Sequence, residues 1–204
     1  MLALLLSACQ LPDPVAPSAA EDATYKILSE DALGTAWAVG PHNLITAGHI
    51  CDGQDRFALV TTRGIRFGAE KVDLDYDDDT VADVCLLQTE RGLGPGLSLA
   101  QSMPAVGDAV YFVGYPQGEW TKSEGAYLGD VDGPAAWSNY TFSAPCDRGA
   151  SGSAVLSDEG VFGVLVRLIV TEDATGFRVH SGVEGCVVTP LPDIQTILQK
   201  NHLR

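Results

Sequence analysis

Apolar residues recur along this chain in short runs of strand length. They cover residues 35–39, 43–46, 56–61, 83–88 and 109–113, then 140–143, 154–156, 161–170, 177–180 and 186–189. Between the runs stand GPHN, TTRG, SDEG and EDATG, whose Gly, Pro, Asn and Asp residues interrupt or reverse the backbone. Only residues 192–200 carry helical spacing, with Ile194, Ile197 and Leu198 at i, i+3 and i+4. Many short strands and one terminal helix predict an all-β architecture, a barrel or a sandwich.

Composition narrows this picture. A chain of 204 residues, 46% apolar and 19% charged, can bury a core without a structural metal and has room for one large β domain or two small ones. Its formal charge of −15 argues against nucleic acid as a partner, because no basic face is available to neutralise phosphates. Such acidity favours solubility and attraction to basic partners.

The first residues, MLALLLSACQLPDPVAPSAAEDA, contain an apolar run too short to span a bilayer as a helix, and they read as a processed export segment. Leu6, Ser7, Ala8 and Cys9 resemble the lipobox of bacterial lipoproteins, which implies a lipid on Cys9 and attachment to a membrane. The resemblance is incomplete, since no Lys or Arg precedes the apolar run. The Pro, Ala and Ser residues that follow, to about residue 20, are expected to form a flexible tether. With Cys9 set aside, Cys51, Cys85, Cys146 and Cys186 make an even set. They are either two disulfides of an oxidising compartment, with three pairings open, or four buried thiols. The expected location is outside the cytoplasm, in the periplasm or cell envelope.

Three stretches carry candidate chemistry. LITAGHIC (44–51) ends a strand in small residues and presents His49, whose imidazole is suited to moving a proton near neutral pH. Taken alone it would be a hydrogen-bonded structural histidine. VADVCLLQ (81–88) places Asp83 directly before an apolar strand, where a carboxylate can orient an imidazole. Five acids just upstream, Asp73, Asp75, Asp77, Asp78 and Asp79, read as a solvated loop, because their spacing does not supply the Gly and terminal Glu of a calcium loop. PCDRGASGSAV (145–155) is either a Gly- and Ser-rich turn or a nucleophile turn with backbone N–H groups arranged around an oxyanion.

These stretches occur in the order His, Asp, Ser within an all-β chain, and there the sequence resembles the chymotrypsin-like, trypsin-fold serine proteases. The nearest resemblance is to bacterial glutamyl endopeptidases and high-temperature-requirement periplasmic proteases. Subtilisin-like enzymes run Asp, His, Ser, and α/β-hydrolases run Ser, acid, His. The resemblance extends over nearly everything after residue 30 and includes GTAWAVG (34–40), FVGYPQG (112–118) and GVLV (163–166). It implies two packed six-stranded antiparallel β-barrels and a short C-terminal helix. The expected division is 1–23 for the export segment and tether, 24–100 for the first barrel, and 101–204 for the second barrel with the helix.

What the resemblance implies for the site is specific. His49 would be the general base, Asp83 its orienting acid and Ser151 the nucleophile, with the N–H groups of Gly149 and Ser151 as the oxyanion hole and Ser153 as a packing residue. Ala150 stands where trypsin-type zymogens carry the Asp that pairs with a new N-terminus, so activation by that ion pair is not expected. Pro145 stands where a pocket for basic residues would carry Asp. Arg167 and His180 are candidate pocket walls for an acidic substrate residue. The resemblance further implies a Cys146–Cys186 bridge bracing that pocket and a Cys51–Cys85 bridge near His49 and Asp83. The function expected is a serine endopeptidase acting on protein or peptide substrates through an acyl-enzyme. The alternative is an inactive protease-fold scaffold at the cell envelope. An esterase using Ser151, Asp173 and His180 is disfavoured, because the chain lacks the crossover helices of a doubly wound sheet. No cofactor is required by this chemistry, and His42, His49, His180 and His202 show no metal-ligand spacing.

Overall fold

The computed structural model describes residues 17–28, 33–76, 82–131, 139–144, 146–168, 171–172, 178–179 and 185–203. Its strands form two closed six-stranded antiparallel barrels. The first contains β1 (Thr24–Leu28), β2 (Leu33–Ala38), β3 (Asn43–Thr46), β4 (Arg56–Val60), β5 (Arg66–Tyr76) and β6 (Asp83–Gln88), in the order β1-β2-β3-β6-β5-β4. Pairing of β1 with β4, Lys26 opposite Val60, closes it. The second contains β7 (Ala109–Gly114), β8 (Thr121–Val131), β9 (Asn139–Ser143), β10 (Ala154–Ser157), β11 (Gly160–Leu168) and β14 (Cys186–Pro190). There β10 closes on β7, with Ala154 opposite Val113. A two-stranded sheet, β12 (Thr171–Glu172) and β13 (Arg178–Val179), lies between β11 and β14 in sequence.

Among the strands read from apolar runs, β2, β6 and β10 are buried nearly throughout, whereas β4 alternates, with Arg56 and Ala58 exposed. In β2 only the first residue is part-exposed, and in β6 only the last is exposed. Trp37, Phe112 and Phe162 are fully buried, and the apolar cluster around Trp37 continues through Val113, Leu156 and Val164 into the second barrel. Strands β1, β5 and β8 fall outside the apolar runs. The charged sequence RFGAEKVDLDY makes β5, in which Ala69 is buried and Phe67 and Leu74 pack part-exposed against the core, while the ladder to β4 and β6 holds the charged residues between them.

Two expectations need revision. Asp73 and Asp75 belong to β5, not to a solvated loop, while 77–79 lie outside the described residues. Asp73 accepts from Lys200 Nζ at 2.8 Å and from Asn201 Nδ2 at 2.7 Å, which ties the C-terminal helix to the first barrel. The expected tether is structured at its end: α1 (Pro17–Asp22) buries Ala20, whose carbonyl accepts the Thr24 hydroxyl at 2.6 Å.

A short α2 (Gly48–Cys51) follows β3, and α3 (Leu191–Lys200) closes the fold. Leu191, Ile194, Ile197 and Leu198 form the buried face of α3, one residue longer than its sequence spacing indicated. Cys51 is bonded to Cys85 and Cys146 to Cys186, with Cα separations of 6.4 and 6.2 Å.

Candidate active site

Strands β3 and β6 are antiparallel neighbours with Thr46 opposite Cys85, so the end of one strand lies beside the start of the other. His49 leaves the first end on α2 and Asp83 opens the second. A side chain at Gly48 would meet Tyr76 Cβ at 2.7 Å and Val84 N at 2.9 Å, so only glycine allows α2 to approach β6 this closely. Asp83 is buried and the His49 side chain is 30% exposed. One carboxylate oxygen of Asp83 accepts the His49 backbone N–H at 2.8 Å, and the other lies 2.8 Å from His49 Nδ1. A carboxylate engaged this way directs the Nδ1 proton toward itself and leaves Nε2 as the proton acceptor. The Cys51–Cys85 bridge joins the two segments two residues beyond His49 and Asp83.

The serine turn is governed by its backbone. From Arg148 to Ser151 every carbonyl accepts a hydrogen bond. Gln117 N–H donates to Arg148 at 2.6 Å, the Thr35 hydroxyl to Gly149 at 2.9 Å, Ser153 N–H to Ala150 at 2.9 Å and Thr35 N–H to Ser151 at 2.8 Å. On the donor side, Ala150 gives to Asp147 and Gly152 to Leu165. Among the described residues the N–H groups of Gly149 and Ser151 donate to nothing. Two unused amides beside a serine are what an anion needs from this turn. Gly149 has φ +93, and a Cβ there would press on the Tyr115 carbonyl and lie 2.8 Å from Leu33 Cδ2. Gly152, at φ +86, sits against the Thr35 carbonyl and Thr46 Oγ1. Both positions therefore demand glycine.

Ser151 Oγ donates to the Val166 carbonyl at 3.4 Å. The register of β11 on β14 shifts between Leu165 and Arg167, a bulge that takes Val166 out of the ladder. The two halves of the site meet around Gly34, where an added Cβ would contact Ile50 of α2 and lie 3.4 Å from the Ser151 carbonyl. Ser153 is fully buried against Gly114, and among the described residues its hydroxyl has no partner. Arg167 is half-buried on β11, next to Val166. Cys9, Asp173 and His180 lie outside the described residues. His42 is a structural histidine, with Nδ1 3.1 Å from the Thr89 carbonyl.

Sequence reasoning missed Thr35, Thr46, Tyr115 and Gln117. A threonine inside GTAWAV was the available signal, since a buried hydroxyl among apolar residues requires a partner. Gln117 takes φ +53 in a 3-10 turn, Pro116–Gly118, between a proline and a glycine. Burial raises the Tyr115 phenol well above its ordinary range, with Glu21 and Tyr25 adding to the effect, so it stays neutral.

Residues 34–164 match the family model of the trypsin-like peptidase domain, and the chain belongs to that family. Its class of activity is that of a serine endopeptidase. No curated protein matches the sequence. Among solved structures it is similar to the active form of the Rv3671c protease from M. tuberculosis, at 22% identity and TM-score 0.74, covering 92% of this chain and 84% of that one. The inactive form of Rv3671c gives 24% identity and TM-score 0.69, with 90% of each chain covered. The HtrA-type protease AlgW with tripeptide gives 20% and 0.70, covering 90% of this chain and 61% of that one.

Proposed function

We propose that this peptidase cleaves peptide bonds through an acyl-enzyme on Ser151. The observation that carries the reading is the pair of unused amides, Gly149 and Ser151, in a turn whose other polar groups are committed. Ser151 Oγ attacks the scissile carbonyl, His49 Nε2 takes its proton, and the carbonyl oxygen becomes an oxyanion held by the two N–H groups. His49 then gives the proton to the leaving amine, and water repeats the sequence to release the acid. Attack requires Ser151 to exchange its long bond to Val166 for one to His49, a tightening common when substrate arrives. Arg167, next to Val166, supports a preference for an acidic residue before the scissile bond.

The test is labelling by a fluorophosphonate probe, read by intact mass, with hydrolysis of an acidic-residue peptide library alongside. Ser151→Ala is expected to abolish labelling and to lower hydrolysis by on the order of 10⁶-fold. A folded wild-type protein that is not labelled would move the chain to the scaffold reading. We extend the proposal to the envelope. The lipobox-like segment and two disulfides support export and a lipid on Cys9. Metabolic labelling with an alkyne fatty acid, expected to vanish in Cys9→Ser, checks this.

A further inference from the structure

The hydroxyl of Thr35 is fully buried and shared between three segments. It donates its proton to the Gly149 carbonyl at 2.9 Å and accepts the Tyr115 N–H at 2.9 Å. Tyr115 leads into the turn whose Gln117 N–H holds the Arg148 carbonyl at 2.6 Å. One hydroxyl therefore fixes the peptide after Gly149 directly and the peptide before it through Tyr115 and Gln117. In a trans peptide the C=O and N–H point in opposite directions, so anchoring the Arg148 carbonyl on Gln117 turns the Gly149 N–H away from that contact. Glycine, with φ +93, offers little resistance of its own to peptide rotation, so the setting must come from outside the turn. Threonine suits this task because its β-branch stiffens χ1 on a strand and holds the hydroxyl in one direction.

We infer that Thr35, on a strand of the first barrel, is a positioning residue for the oxyanion hole of the second. The inference rests on the reading of Ser151 and its neighbouring amides as catalytic. Without the hydroxyl, the Gly149 carbonyl and the Tyr115 N–H are buried without partners, and rotation of the Gly149 peptides is the cheapest relief. That rotation removes the Gly149 N–H from the oxyanion.

The experiment compares wild type, Thr35→Val, Thr35→Ala, Thr35→Ser and Ser151→Ala in fluorophosphonate labelling, resolving the maximal rate from the half-saturating probe concentration. Circular dichroism sets a temperature at which each variant is folded. Thr35→Val and Thr35→Ala are expected to lower the maximal rate by on the order of 10²-fold, as loss of one oxyanion donor does. The half-saturating concentration should stay unchanged, and Thr35→Ser should restore most of the rate. General loosening would instead raise the half-saturating concentration or reduce the fraction labelled. A hydroxyl-free variant that labels at the wild-type rate overturns the inference, as does Thr35→Ser if it is as slow as Thr35→Val. If wild type does not label, the reading of Ser151 fails separately. Crystal structures of the variants then decide the positional claim, which requires rotated Gly149 peptides without the hydroxyl and native ones in Thr35→Ser. Thr35→Ala serves where Thr35→Val does not fold, since it removes the hydroxyl without crowding the site.

Discussion

In the first barrel, the Asp83 carboxylate takes His49 Nδ1 on one oxygen and the His49 backbone N–H on the other, both at 2.8 Å, with a disulfide just behind. In the second, the Ser151 turn is held almost entirely through backbone carbonyls, and the Ser151 hydroxyl makes one long bond. The difference teaches where each half is vulnerable. The His–Asp half depends on the chemistry of two side chains. The serine half depends on peptide orientation, and so on glycines and on donors supplied by other segments.

The sharpest way to break this comparison after Ser151→Ala is Asp83→Asn. An amide can still accept from the His49 backbone, but its NH₂ facing Nδ1 forces the ring proton onto Nε2, which then cannot act as a base. Hydrolysis is expected to fall by about 10⁴-fold with the fold intact, measured as kcat on a cleavable peptide. Near-normal activity would mean that the His49–Asp83 contact is only structural.

Next in size is the Cys51→Ala, Cys85→Ala double variant. The bridge spans 34 residues, and its loss is expected to cost about 3–4 kcal/mol of unfolding free energy in a denaturant titration. If activity per folded molecule falls as well, the bridge also sets the His–Asp geometry. Asp73→Asn probes the tie between the C-terminal helix and the first barrel. Burial, the largest single influence, pushes the Asp73 carboxyl up, but the hydrogen bonds from Lys200, Asn201 and the Leu74 N–H, together with the Lys200 charge, outweigh it and hold the carboxyl below its usual range. The stabilisation is therefore present above the ordinary carboxylate pKa and is lost as pH falls through the lowered one. Asp73→Asn should reduce Tm by about 2 °C at neutral pH, a gap that closes in acid. The smallest effect is expected from Ser153→Ala. Removing a buried hydroxyl without a partner relieves its desolvation cost but also loses its packing against Gly114, so unfolding should change by under about 1 kcal/mol and labelling of Ser151 should persist.

The legible part of the fold was the part that buries apolar runs. Strands β3 and β6 were bounded correctly because their residues are nearly all inward, whereas β5 and β8 were not read because Lys, Glu and Asp interrupt their apolar residues. Both disulfide partnerships followed from the resemblance, not from cysteine spacing. His49, Asp83, Ser151 and Gly149 were named from three short motifs in the order His, Asp, Ser and the family resemblance that this order carries, since none of the segments is decisive alone. A threonine inside GTAWAV signalled only that its hydroxyl needs a partner; the partners, Gly149 and Tyr115, lie 114 and 80 residues away. No local pattern encodes a shared hydroxyl.

That separation also orders events in time. His49 and Asp83 are 34 residues apart, and the strands that bring them together can pair early in a growing or refolding chain. The Thr35–Gly149 contact closes a span of 114 residues, and α3 reaches back to Asp73 across 127. Contacts so distant in sequence cost more loop-closure entropy than the local ones, and they are expected to form after them. If His49, Asp83 and Ser151 act as proposed, a half-made molecule would hold its proton-transfer pair before its anion site, and would be unable to cut its equally half-made neighbours.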